Sequence, residues 1–66
     1  MKLIVNSKPE DHHLEYLNQL LQDLDLLESK GIAVAVNNKV ISKMNWNAFQ
    51  LKENDTITII RATQGG

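Results

Sequence analysis

The sequence predicts an α+β fold, a mixed sheet with one helix packed across it. Three observations carry that prediction. Apolar, β-branched stretches stand near both ends of the chain, Leu3-Ile4-Val5 and Thr56 to Arg61. Between them lies a single run of leucines at helical spacing. A third signal, Asn37-Asn38, tolerates the positive φ of a tight hairpin and separates two more apolar runs. A helix with one apolar face needs a layer to bury it, and a sheet of these strands supplies one. The first and last strands are expected to lie side by side and parallel at the centre, because the connection through the helix is long enough to cross over.

Leu3-Ile4-Val5 reads as a buried strand, which Asn6-Ser7-Lys8-Pro9 then breaks. Ser7-x-x-Glu10 has the form of a capping box with Pro9 in the first turn, so the local signals predict a helix start here. Leu14, Leu17, Leu20, Leu21, Leu24 and Leu27 line one helix face, opposite Glu15, Asn18, Gln19, Gln22 and Asp23. Such a stripe is core. Glu28 to Gly31 is predicted to end the helix, with Gly31 as a left-handed cap. In the next strand Ile32, Val34 and Val36 share one face, and Ala33 and Ala35 share the other. Val40-Ile41 begins the return strand. Ser42 to Gln50 reads as irregular with one short helical turn, anchored by Trp46 and Phe49; Trp46 is expected to seal a core edge. Asn54-Asp55 is a second turn signal, and Thr56 to Arg61 is the best-patterned strand of the chain.

Sixty-six residues make one domain, 1–66, with a flexible tail over 62–66. A chain this short buries about 60% of its unfolded surface, and a deep catalytic pocket would consume the core that remains. There is no cysteine, hence no disulfide, thiolate metal site or thiol nucleophile. Seven basic residues balance eight acidic ones, which leaves no counterion-release drive for nucleic acid. No export signal or membrane span is visible, so a cytoplasmic monomer is expected. His12 and His13 point to different sides of any regular element, and they are read as a solvated surface pair rather than a metal site. Asp23, Asp25 and Glu28 are read as acidic surface. No P-loop, dinucleotide loop or nucleophile elbow occurs. These features exclude most enzyme classes and favour a protein that others bind or act upon.

The sequence closes on Gly65-Gly66. Glycine is a poor anchor for a terminus, but a residue without Cβ fits a narrow channel and accepts whatever backbone that channel imposes. An enzyme that adenylates a terminal carboxylate with ATP needs such a tail. From Arg61, five residues reach at most about 17 Å, enough to enter a neighbour's active site.

Together these residues resemble the thiamin-pathway sulfur carrier proteins of the β-grasp, ubiquitin-like superfamily. The matching stretches are Leu20-Leu21-x-x-Leu24, Ala33 to Asn37, Val40-Ile41, Trp46, Leu51, Asp55 followed by Ile57, and Gly65-Gly66. The resemblance implies a β-grasp fold with a second strand ahead of the helix, and it moves the helix start to near Leu14 or Tyr16. It implies a protein cosubstrate with no cofactor of its own. A ubiquitin-activating-type enzyme would adenylate Gly66 with ATP, a cysteine desulfurase relay would supply sulfur, and thiazole synthase would take the sulfur from the thiocarboxylate. By the same implication Gly65, Gln64 and Thr63 form the threaded tail, and Arg61 stands where tail meets body. Arg61, Ile60 and Ala35 are candidates for partner binding, the last two on the sheet face away from the helix. A molybdopterin-type carrier and a ubiquitin-like protein modifier use the same Gly-Gly terminus and remain as alternatives.

Overall fold

The computed structural model describes residues 1–61. Five strands form one sheet in the order β2-β1-β5-β3-β4. They are β1 Lys2–Val5, β2 Lys8–Asp11, β3 Ile32–Val36, β4 Lys39–Ile41 and β5 Thr56–Arg61; α1 spans Leu17–Asp23, and a 3₁₀ turn spans Lys43–Asn45. The chain's first and last strands are parallel neighbours, with Ile4 beside Thr56 and Val5 beside Ile57. β5 is antiparallel to β3 over the whole length of β3, from Val36↔Ile57 to Ile32↔Arg61.

Both hairpins turn on two residues at positive φ. Asn37 and Asn38 have φ of 51° and 69°, and Asn6 and Ser7 have 48° and 69°. That geometry matches the right-handed twist of the flanking strands. Asn6-Ser7 is therefore a turn into β2, and the capping box read at Ser7-x-x-Glu10 does not start a helix. Pro9 sits opposite Ile4 in a strand at the sheet edge, where its missing N–H removes no ladder bond.

The helix begins where the family resemblance placed it. Tyr16 is the N-cap, and the Gln19 side-chain carbonyl accepts the N–H groups of Glu15 and Tyr16, both at 2.8 Å. Two backbone donors at the helix entrance are satisfied that way. The helix ends earlier than the leucine stripe suggests. Asp25 takes φ 60°, its N–H reaches the Gln22 carbonyl at 3.0 Å, and the Leu26 N–H reaches that of Leu21 at 2.8 Å. This is the paired bond pattern of a Schellman cap. Asp25, not Gly31, holds the left-handed position; Gly31 (φ 72°) lies next to the start of β3.

Leu17, Leu20 and Leu21 of α1 are fully buried with Leu3, Val34 and Ile57 of the sheet. Trp46 and Leu51 close the core's edge. The Trp46 indole donates to the Ile41 carbonyl at 3.0 Å, so its one polar group is satisfied inside. His12 departs from the solvated reading. Its side chain is 13% exposed, with Nε2 at 2.8 Å from Glu10 Oε1 and Nδ1 at 3.6 Å from Asp23 Oδ2, so it links β2 to the end of α1. Among the described residues, no helix is long and apolar enough to cross a membrane.

Candidate functional site

β5 is the last described element, so the residues that hold β5 fix the chain as far as Arg61. Its start is fixed from the β3–β4 turn. The Asn37 N–H donates to the Thr56 carbonyl at 2.7 Å, and Asn37 Oδ1 accepts the Thr56 N–H at 3.0 Å. Asn37 Nδ2 donates to Asp55 Oδ1 at 2.9 Å, and Asp55 Oδ2 accepts the Lys52 N–H at 2.8 Å. Asn54, at φ 69°, makes the turn into the strand as the sequence suggested. The middle of β5 is held from the other hairpin. The Asn6 N–H donates to the Ile57 carbonyl at 2.9 Å, and Asn6 Oδ1 accepts the Ile59 N–H at 2.8 Å. The same device thus occurs twice, an asparagine opening a tight turn and bonding β5 through main chain and side chain.

Alternation along β5 assigns its side chains to two faces. Ile57 is fully buried and Ile59 half-buried on the helix side, whereas Thr58 and Ile60 look away from it. On β3, Val34 and Val36 are buried, and Ala33 and Ala35 occupy the opposite face. Ala33 is paired with Ile60, and Ala35 with Thr58 on one side and Val40 on the other. Ala35 and Ile60 are thus diagonal neighbours on one open face, close enough for a single partner surface to touch both. Ile60 is 59% exposed and Val40 74%. Arg61 is not part of that patch. It alternates to the helix side, where it lines a notch with Ile59, Leu24 and Leu26.

Thr63, Gln64, Gly65 and Gly66 lie outside the described residues. The sequence reading missed Val40 as a member of the open face, although its register with Ala35 follows from the Asn37-Asn38 turn. It also missed the side chains of Asn6 and Asn37 as ties to β5. Their signal was an Asn at the first position of a two-residue turn. Among the described residues, no group of three or more His, Cys, Asp or Glu side chains is placed to hold a metal ion.

The match to known proteins extends over nearly the whole sequence. The model of the ThiS family matches residues 3–66. The chain belongs to the ThiS family. Its fold is similar to the crystal structure of a thiamine biosynthesis protein (ThiS) from Geobacter metallireducens, with a TM-score of 0.82 at 26% identity over all of both chains. It is also similar to an NMR solution structure of a thiamine biosynthesis protein from that organism, with a TM-score of 0.80 at 26% identity, covering all of this chain and 88% of the other. No curated protein matches the sequence. The mixed sheet with its single helix is the β-grasp fold of the ThiS family, and membership supports a sulfur-carrier role.

Proposed function

We propose that residues 1–66 act as one carrier domain that bears sulfur on the carboxylate of Gly66 and delivers it for thiazole formation in thiamin biosynthesis. The observation that carries this reading is the ThiS-family match, which runs through Gly65 and Gly66. The chain is the substrate of this chemistry, not its catalyst. A carboxylate oxygen of Gly66 attacks the α-phosphate of ATP in a partner's active site, and pyrophosphate leaves. A cysteine desulfurase relay supplies the sulfur as a persulfide, a thiol reductant releases it as sulfide with formation of a disulfide, and the sulfide then attacks the acyl carbon. AMP departs with the original carboxylate oxygen, a proton is released, and a thiocarboxylate remains. Thiazole synthase is the acceptor.

Each residue type suits its place in that scheme. Gly65 and Gly66 have no Cβ to obstruct a narrow channel. Thr63 and Gln64 follow them into it. Arg61 stands at the exit from the sheet, and Ile60 and Ala35 present an apolar patch that a partner covers on docking. Neither resident metal nor bound cofactor takes part; ATP is consumed by the partner.

The test is intact mass after incubation with a ubiquitin-activating-type enzyme, ATP and sulfide. A gain equal to one oxygen replaced by sulfur, lost on deletion of Gly66, supports the proposal. No gain with an enzyme of proven activity counts against it. Covalent products with other proteins that survive reductant and denaturant would instead assign the chain to the protein modifiers.

A further inference from the structure

β1 pairs with β5 at Ile4↔Thr56 and Val5↔Ile57, and there the strand ends. β5 continues for four more residues, to Arg61. In a parallel ladder the bonds are evenly spaced. Ile4 N–H reaches the Asp55 carbonyl and Asn6 N–H reaches the Ile57 carbonyl, both at 2.9 Å. The next bond of that series runs from the Ile59 N–H to the main-chain carbonyl of Asn6. Asn6 has already turned to φ 48°, and its side-chain Oδ1 accepts the Ile59 N–H instead, at 2.8 Å. The side chain thus adds one rung to a ladder whose strand has stopped. Past that rung, β5 borders an open notch of about 380 Å³ lined by Val5, Asn6, Leu24, Leu26, Ile59 and Arg61.

We propose that Asn6 is a positioning residue for sulfur transfer, holding the last rung of the ladder so that β5 runs in one fixed direction as far as Arg61 when a partner docks. This rests on the sulfur-carrier reading. Asn suits the task twice over, since it tolerates positive φ and carries an acceptor three bonds from Cα. Gly satisfies the first requirement and lacks the second. Asp satisfies both.

The variants Asn6→Gly and Asn6→Asp therefore separate turn geometry from the acceptor. Asn6→Gly should raise amide exchange at Ile59 about fivefold, the usual worth of one net hydrogen bond. It should raise KM for adenylation by about the same factor with kcat unchanged, because ordering the strand end is then charged to binding. Asn6→Asp should restore both. A core variant, Ile57→Val, which lowers stability through lost packing of a fully buried side chain, should leave KM where it was. Should Asn6→Gly fold poorly, it is measured in the Asp25→Gly background, where relief of the left-handed Asp offsets the loss. The proposal falls if Asn6→Gly releases the Ile59 amide without moving KM, or if Ile57→Val raises KM equally. Absence of adenylation in the wild-type chain would overturn the carrier reading instead, and the exchange at Ile59 would still decide whether Asn6 holds the strand.

Discussion

Asn37 and Asp55 are joined side chain to side chain at 2.9 Å, and that bond ties the β3–β4 turn to the residue just before β5. Asp55 is only 9% exposed and is the one buried charged residue described. Its second oxygen holds the Lys52 N–H at 2.8 Å. Asp55→Ala removes two bonds to a charged acceptor and leaves two donors unpaired. The expected cost is about 3 kcal/mol, a large share of the roughly 3–10 kcal/mol available to a chain of this length. Urea unfolding measures it. Asp55→Asn, which keeps an acceptor for one of the two donors, should lose about half as much.

Asp25 ends α1 in a conformation that glycine adopts without steric cost. The variant Asp25→Gly should therefore stabilise the fold by about 0.5–1 kcal/mol. Thermal unfolding tests it, with a raised midpoint expected. An unchanged or lowered midpoint would mean that the Asp25 side chain contributes something the Schellman bonds alone do not.

Asp25 also marks where the sequence became hard to read. Leu24, Leu26 and Leu27 keep the apolar content of the helix going after its backbone has stopped, and nothing in hydrophobic spacing reports a left-handed Asp. β2 was obscured for a different reason. Lys8-Pro9-Glu10-Asp11 lies at the sheet edge, and its faces carry no apolar alternation, while Ser7-x-x-Glu10 imitates a helix start. His12 read as solvated because its two carboxylate neighbours, Glu10 and Asp23, come from separate elements. By contrast, β3 and β5 were legible because their inward and outward residues differ in kind at a period of two. The parallel pairing of β1 with β5 followed from the order of elements. Of the candidate site, the shared face of Ala35 and Ile60 was legible from that same alternation. The position of Arg61 on the other face follows from it too, once Ile59 is known to face the helix.

Asp11 accepts a hydrogen bond from the Met1 ammonium at 3.1 Å, and that contact with the adjacent positive charge lowers the Asp11 carboxyl from its ordinary value. A carboxyl lowered on folding stabilises the native state above its unfolded pKa, and the contribution is lost as pH falls through the folded one. Acetylating the N-terminus removes the ammonium. Free and acetylated chains should therefore differ in stability at neutral pH, with the difference shrinking below the ordinary carboxylate range. Because Asp11 is exposed, added salt should shrink it as well. Paired urea titrations at several pH values read this, and a gap that widened toward acid would contradict it.

The open face offers the clearest separation of folding from partner binding. Ile60 is 59% exposed and sits across from Ala33, so a charge there enters water rather than the core. Ile60→Glu should change stability by no more than about 0.5 kcal/mol, as for other surface substitutions. Ala35 is half-buried between Thr58 and Val40, so Ala35→Glu should cost more while still folding. If the apolar face is the docking surface, either charge must be desolvated against the partner, and KM for adenylation should rise by about tenfold or more. A charge at Asn38, on the turn, gives the control for net charge alone. Full adenylation of Ile60→Glu at wild-type KM would remove this face from the interface and leave the tail as the chief point of recognition.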